Sequence, residues 1–235
     1  MQITWLGQAG LMFESRGKIL LVDPYLSDSV SAIQPSKHRK MPPNDEFLQI
    51  HPDYILLTHD HADHTDEETL SHYLCRDENI TVLASGNAWQ RVRKFGGRCN
   101  YVLFNRGTTW TEKEFKWKAI YAEHSDACAI GSVITAEGKN FYVTGDTLYN
   151  EKIFPEVQST KIYAVFLPIN GEGNNMNAAD AEKFVSRIGA KFSVPIHFGM
   201  FDNVSPACFK SKNKIVPDIY QPIRFKISEE SLIKK

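Results

Sequence analysis

Four potential metal donors leave the chain within six residues, in the run Thr58-His59-Asp60-His61-Ala62-Asp63-His64-Thr65. Imidazole and carboxylate are the ligands that borderline divalent ions such as zinc, iron and manganese accept. Just upstream, Tyr54-Ile55-Leu56-Leu57 reads as a short buried strand, apolar until the polar residues begin. Residues two apart in an extended segment point the same way, so His59 and His61 can close on one ion, and a turn through Ala62 lets Asp63 and His64 face another. A solvated turn with incidental histidines is the plain alternative. It suffices for one histidine but not for His-x-His-x-Asp-His.

The elements needed to position such a cluster can be read along the chain. Residues 3–6, 11–14 and 19–22 form three apolar runs separated by Gly7, Gly10 and Gly17, a strand meander that ends at Asp23-Pro24. Asp23 is either a turn-forming residue or a carboxylate that orients a ligand histidine. Acidic Asp66, Glu67 and Glu68 open a helix. Strands follow at 81–84, 101–104 and 117–121, with a helix over 85–95 before Gly96-Gly97. A hairpin pairs 132–135 with 140–143 across Glu137-Gly138-Lys139. After a strand at 163–168, residues 178–188 have helical spacing, with Ala181, Phe184, Val185 and Ile188 on one side and Gly189 as a stop. The final core strand, 192–196, ends in His197. His59, His124, Asp146 and His197 all stand where a strand gives out, so one sheet edge would gather them. His38, His51 and His72 lack that context and are read as ordinary surface or core residues. The stretch from Ser27 to Asp45 is expected to be a long irregular loop carrying Lys37-His38-Arg39-Lys40, either a solvated basic turn or a flap that holds an anion.

Composition narrows the class. The chain has 235 residues, 42% hydrophobic and 23% charged, without a Pro/Gly/Ser-rich linker, which points to one globular domain over 1–235. A net charge of −1 gives no basic face for nucleic acid, and no apolar run approaches a membrane span. Neither a nucleic acid nor a membrane is therefore expected as a partner. Cys75, Cys99, Cys128 and Cys208 are scattered, and no secretory leader is evident, so reduced thiols and a cytoplasmic setting are expected. The sequence does not decide between a monomer and a homo-oligomer.

Taken together, His59-x-His61-x-Asp63-His64, the lone His124, Thr144-Gly145-Asp146-Thr147 and the terminal His197 resemble the metallo-β-lactamase superfamily of hydrolases over nearly the whole chain. Within it, residues 5–10, 23–29 and 195–201 resemble the branch that contains ascorbate-6-phosphate lactonase, with Gln8 standing where many relatives carry His. The resemblance implies an α/β, αββα four-layer sandwich. It also implies two divalent ions, zinc or manganese with iron a further option, one held by His59, His61 and His124, the other by Asp63, His64 and His197, with Asp146 between them. Asp63, Asp146 and His197 are the implied catalytic residues. The implied reaction opens a lactone of a small phosphorylated sugar acid by attack of a hydroxide shared between the ions.

Lys37, Arg39, Asn174 and Asn175 are candidates to hold the substrate's phosphate and hydroxyl groups. A phosphodiesterase of nuclease or phospholipase type would use the same centre, although no basic stripe or amphipathic membrane helix stands out. A metal-bound protein that binds a metabolite without turnover is the remaining class. Coordination positions left open for water argue against it.

Overall fold

Alternation along the strands gives the first sheet two apolar faces, and both are covered. In the computed structural model, which describes residues 1–226, strands β1 (Gln2–Gly7), β2 (Gly10–Ser15), β3 (Lys18–Val22), β4 (Tyr54–Leu57), β5 (Thr81–Ala84) and β6 (Asn100–Leu103) form one six-stranded sheet in that order. The strands β1 to β3 are antiparallel neighbours, and β3 to β6 run parallel. Leu20, Val22, Tyr54 and Leu56 enter the core between sheets, while Leu21, Ile55 and Leu57 pack on the opposite face. That outer face is covered by α2 (Glu67–Arg76) through Leu70, Tyr73 and Leu74, and by α3 (Gly86–Val92) through Ala88 and Val92.

The second sheet has the order β12-β11-β10-β9-β8-β7, from β7 (Thr109–Thr111), β8 (Lys116–Tyr121), β9 (Ile130–Ala136), β10 (Lys139–Val143), β11 (Ile162–Pro168) and β12 (Phe192–Ile196). Phe13 of the first sheet meets Phe141 and Phe166 of the second edge-on, and Tyr54 packs on Phe115 and Trp117. Over the outer face lie α4 (Phe154–Val157) and α5 (Ala178–Ile188), the latter through buried Ala181, Phe184 and Val185. The layers are therefore helix, sheet, sheet, helix, as the family resemblance implied. The α5 limits match the expected helix: Asn177 caps its start by accepting from Asp180 N, and Gly189, at φ 67°, ends it.

Two expectations need correction. The stretch from Ser27 to Asp45 is not wholly irregular, because α1 (Ser29–Ile33) forms within it around buried Val30. Five residues with a single buried contact leave too weak a periodicity to be seen in sequence. The helix over 85–95 is shorter, with α3 ending at Val92. The domain expected over 1–235 extends beyond the described residues. None of the described helices is long and apolar enough to cross a membrane, and Cys75, Cys99, Cys128 and Cys208 are free thiols.

Candidate metal centre

Strand direction brings the donors together. In the first sheet β1, β3 and β4 point the same way; in the second β8, β10, β11 and β12 do. Their C-terminal ends release Gln8, Asp23, His59, His124, Asp146 and His197, which meet at one edge of the sandwich. Three of these, Gln8 (φ 47°), Asp23 (φ 41°) and His197 (φ 56°), adopt the left-handed backbone that non-glycine residues avoid. Each such residue costs about 1–3 kcal/mol. Burial of a few core side chains at ~1.5–3 kcal/mol each offsets that strain.

The donors fall into two triplets whose ligand atoms lie within 4.8 Å of one another: His59, His61 and His124, and Asp63, His64 and His197. In the first, His61 Nδ1 is 3.2 Å from His124 Nε2. In the second, His197 Nε2 is 3.4 Å from Asp63 Oδ2. Asp146, only 4% exposed, reaches His64 Nε2 at 3.4 Å with one oxygen and His197 Nε2 at 3.1 Å with the other. Asp23, His59 and His64 also come within ligand range of each other. The Asp23 oxygens, however, are spent on Thr58 N at 2.8 Å, Thr58 Oγ1 at 2.5 Å and His64 Nδ1 at 2.8 Å. Asp23 is thus the carboxylate that orients a histidine, one of its two readings, while also turning the chain at the strand end.

This network fixes which nitrogen each imidazole presents. Asp23 accepts from His64 Nδ1, and Thr58 Oγ1, having donated to Asp23, accepts from His59 Nδ1 at 3.1 Å. Outside the centre, Ser125 Oγ lies 3.3 Å from His61 Nε2, and Asn174 O lies 3.3 Å from His124 Nδ1. The inward Nε2 atoms of His59 and His64 are buried without a hydrogen-bond partner. Buried polar nitrogens are rarely left so, and a cation held by each triplet would satisfy them.

The charge balance agrees. Burial keeps His59, and less strongly His124, below the ordinary histidine value, so both are neutral lone-pair donors. Burial pushes the Asp146 carboxyl up, but His197 and His64 outweigh it and hold it well below the usual range; Asp63 follows the same pattern. Conversely, burial lowers His197, yet Asp146 and Asp63 push it up to about 9; Asp146, Asp63 and Asp23 likewise outweigh burial at His64 and hold it above the ordinary histidine value. The carboxylates draw positive charge into this spot, and the donor set fits a divalent cation there.

The remaining candidates separate. Asn175 lies at the centre, but its amide donates to Asp146 Oδ2 at 2.8 Å and its oxygen accepts from Thr147 N, so it steadies Asp146. Asn174 is engaged through its backbone carbonyl, which His124 uses. Lys37 lines the cavity of about 330 Å³ above the donors. Arg39 does not line it: the guanidinium donates to Tyr25 O at 2.6 Å, Met41 O at 2.7 Å and Tyr220 Oη at 2.8 Å. Its expected anion contact is corrected, because the Tyr25 and Met41 carbonyls and the Tyr220 hydroxyl take up those donors.

Gln8 is the residue whose place sequence reasoning did not assign. Its Nε2 donates to Asp63 Oδ2 at 2.8 Å and lies 3.1 Å from His197 Nε2. The signal available was its position at the end of the first strand.

The Beta-lactamase superfamily domain model matches residues 18–198. The chain belongs to that superfamily. It is similar to a metal-dependent hydrolase of Flavobacterium johnsoniae, 32% identical over 77% of each chain, and to another of Ligilactobacillus salivarius, 29% identical over 96% of this chain and 95% of the relative. Among solved structures it resembles a metallo hydrolase of Ignicoccus hospitalis, at TM-score 0.77 and 18% identity, covering 96% of this chain and 99% of that one; this likeness shows the fold. The protein is a metal-dependent hydrolase of the metallo-β-lactamase superfamily.

Proposed function

We propose that this hydrolase opens a small anionic lactone, with a lactone of a phosphorylated sugar acid as the leading candidate, using two divalent cations, zinc or manganese. The observation that carries the reading is the pair of donor triplets flanking Asp146 at the base of a cavity that also carries Lys37. His59, His61 and His124 would hold one ion, Asp63, His64 and His197 the other, with Asp146 facing both. Such ions supply a water acidic enough to ionise near neutral pH and an electrophile for the scissile carbonyl.

The chain's own groups supply orientation and proton handling. Asp23, through His64 directly and through Thr58 to His59, keeps the Nε2 lone pairs turned inward. Asn175 and Gln8 each donate an amide hydrogen to one oxygen of Asp146 and Asp63, limiting how those carboxylates rotate. Asp63, at the cavity wall, is placed to orient an attacking water and accept its proton. Lys37 is the anchor for a negative group on the substrate.

Metal analysis of the purified protein, paired with assays on phosphorylated and unphosphorylated sugar-acid lactones and on bis(4-nitrophenyl) phosphate, tests the reading. Lactone turnover dependent on about two ions per chain is expected. Turnover confined to the phosphodiester would move the protein to the phosphodiesterase class. Binding without turnover across the panel would overturn hydrolysis of either kind.

A further inference from the structure

Among the described residues that line the cavity, Lys37 is the sole lysine or arginine; the other charged linings are histidines and acids such as Asp60, Glu172 and Asp202. Lys37 Nζ is not free to a visitor, because Glu172 Oε2 sits 2.9 Å from it across the mouth. The pair joins two segments far apart in sequence, the stretch after α1 and the loop after β11. The second is built to hold its shape: Gly171 N donates to Met176 O, Met176 N donates to Thr147 O, and Asn170 bridges Asn177. It also carries Asn175, which binds Asp146, so the mouth contact and the centre share one loop.

From this we infer that Glu172 is a specificity-determining residue: it occupies Lys37 as an internal stand-in for the substrate's anionic group, and substrates enter by exchanging for it. Exposure makes the exchange cheap. The two side chains are 34% and 55% exposed, a setting in which ion pairs contribute little and water readily receives a displaced carboxylate. Lys37 holds the Glu172 carboxyl below its ordinary value, so it stays ionised and competes with any incoming anion. A neutral substrate has nothing to exchange and leaves the pair closed. Val30 and Ile33 line the same cavity, with Ile33 66% exposed, offering an apolar flank to the part of the substrate behind the anion.

The inference rests on the proposed anionic substrate, but its test needs no turnover. Calorimetric binding of glutarate and of uncharged dimethyl glutarate to the metal-loaded protein is compared among wild type, Glu172→Gln, Lys37→Met and the double variant. Circular dichroism checks that each is folded. Glutarate is expected to bind Glu172→Gln more tightly by up to about fivefold and Lys37→Met more weakly, with the double variant matching Lys37→Met and dimethyl glutarate unchanged throughout. If Glu172→Gln tightens glutarate equally when Lys37 is absent, the effect is general charge and the exchange is overturned. No tightening, or no loss in Lys37→Met, also overturns it. Failure of the lactone assay alone would leave these binding differences intact and would count against the reaction, not the gate.

Discussion

Removing the Asp23 carboxylate, as in Asp23→Ala, leaves Thr58 and His64 without their shared acceptor and frees both His64 and His59 to turn. Metal affinity measured by competition with a chromophoric chelator should fall about 10- to 100-fold, the usual range for groups that orient ligand histidines. Asn174 makes the opposite case. Only its backbone carbonyl is used, and at φ 63° it adopts a conformation glycine accepts without cost. Asn174→Gly should therefore keep both metal content and kcat, whereas a side-chain contact to substrate would show as a raised KM. Arg39→Ala should lower stability by about 1 kcal/mol in urea denaturation, since it leaves two half-buried carbonyls without their donor, and it should not separate phosphorylated from unphosphorylated substrates. From sequence, Arg39 and Lys37 were equivalent cations on one loop. Nothing local distinguishes a guanidinium folded back on Tyr25 and Tyr220 from an ammonium left at the cavity, because Tyr220 lies 181 positions away.

At the scale of elements, the donors were legible because each follows an apolar run, and a run that stops at a polar residue marks a strand end. The sheets then did what their direction requires, placing β4, β8, β10 and β12 with those ends together. Less legible were elements too short to leave a pattern, such as α1, and Asn175 as the holder of Asp146, a contact between two loops. The turn between β10 and Asp146 depends on Gly145, whose φ is 61° and where an added Cβ would lie 2.6 Å from Ile130 O. Gly145→Ala should cost at least about 1–2 kcal/mol for the left-handed backbone alone, read by chemical denaturation of the metal-free protein, and should displace Asp146 enough to weaken metal binding.

For the molecule as a whole, the centre joins both sheets, so a bound cation links the two halves of the sandwich. Stripping it with a chelator should lower the melting temperature by about 5–10 °C relative to protein held at 100-fold excess over its Kd, and readdition should restore it. An unchanged melting curve would show that the sheets need no such link. The opposite rim of the sandwich carries tight reversals, Arg16-Gly17 between β2 and β3 and Glu137-Gly138 between β9 and β10, and none of the residues of the two donor triplets. At Gly17 an added Cβ would meet nothing within 4 Å. That remoteness makes the Gly17 corner a natural handle: a dye, a tether to a solid support or a spliced peptide placed there would leave the reactive end facing open solution.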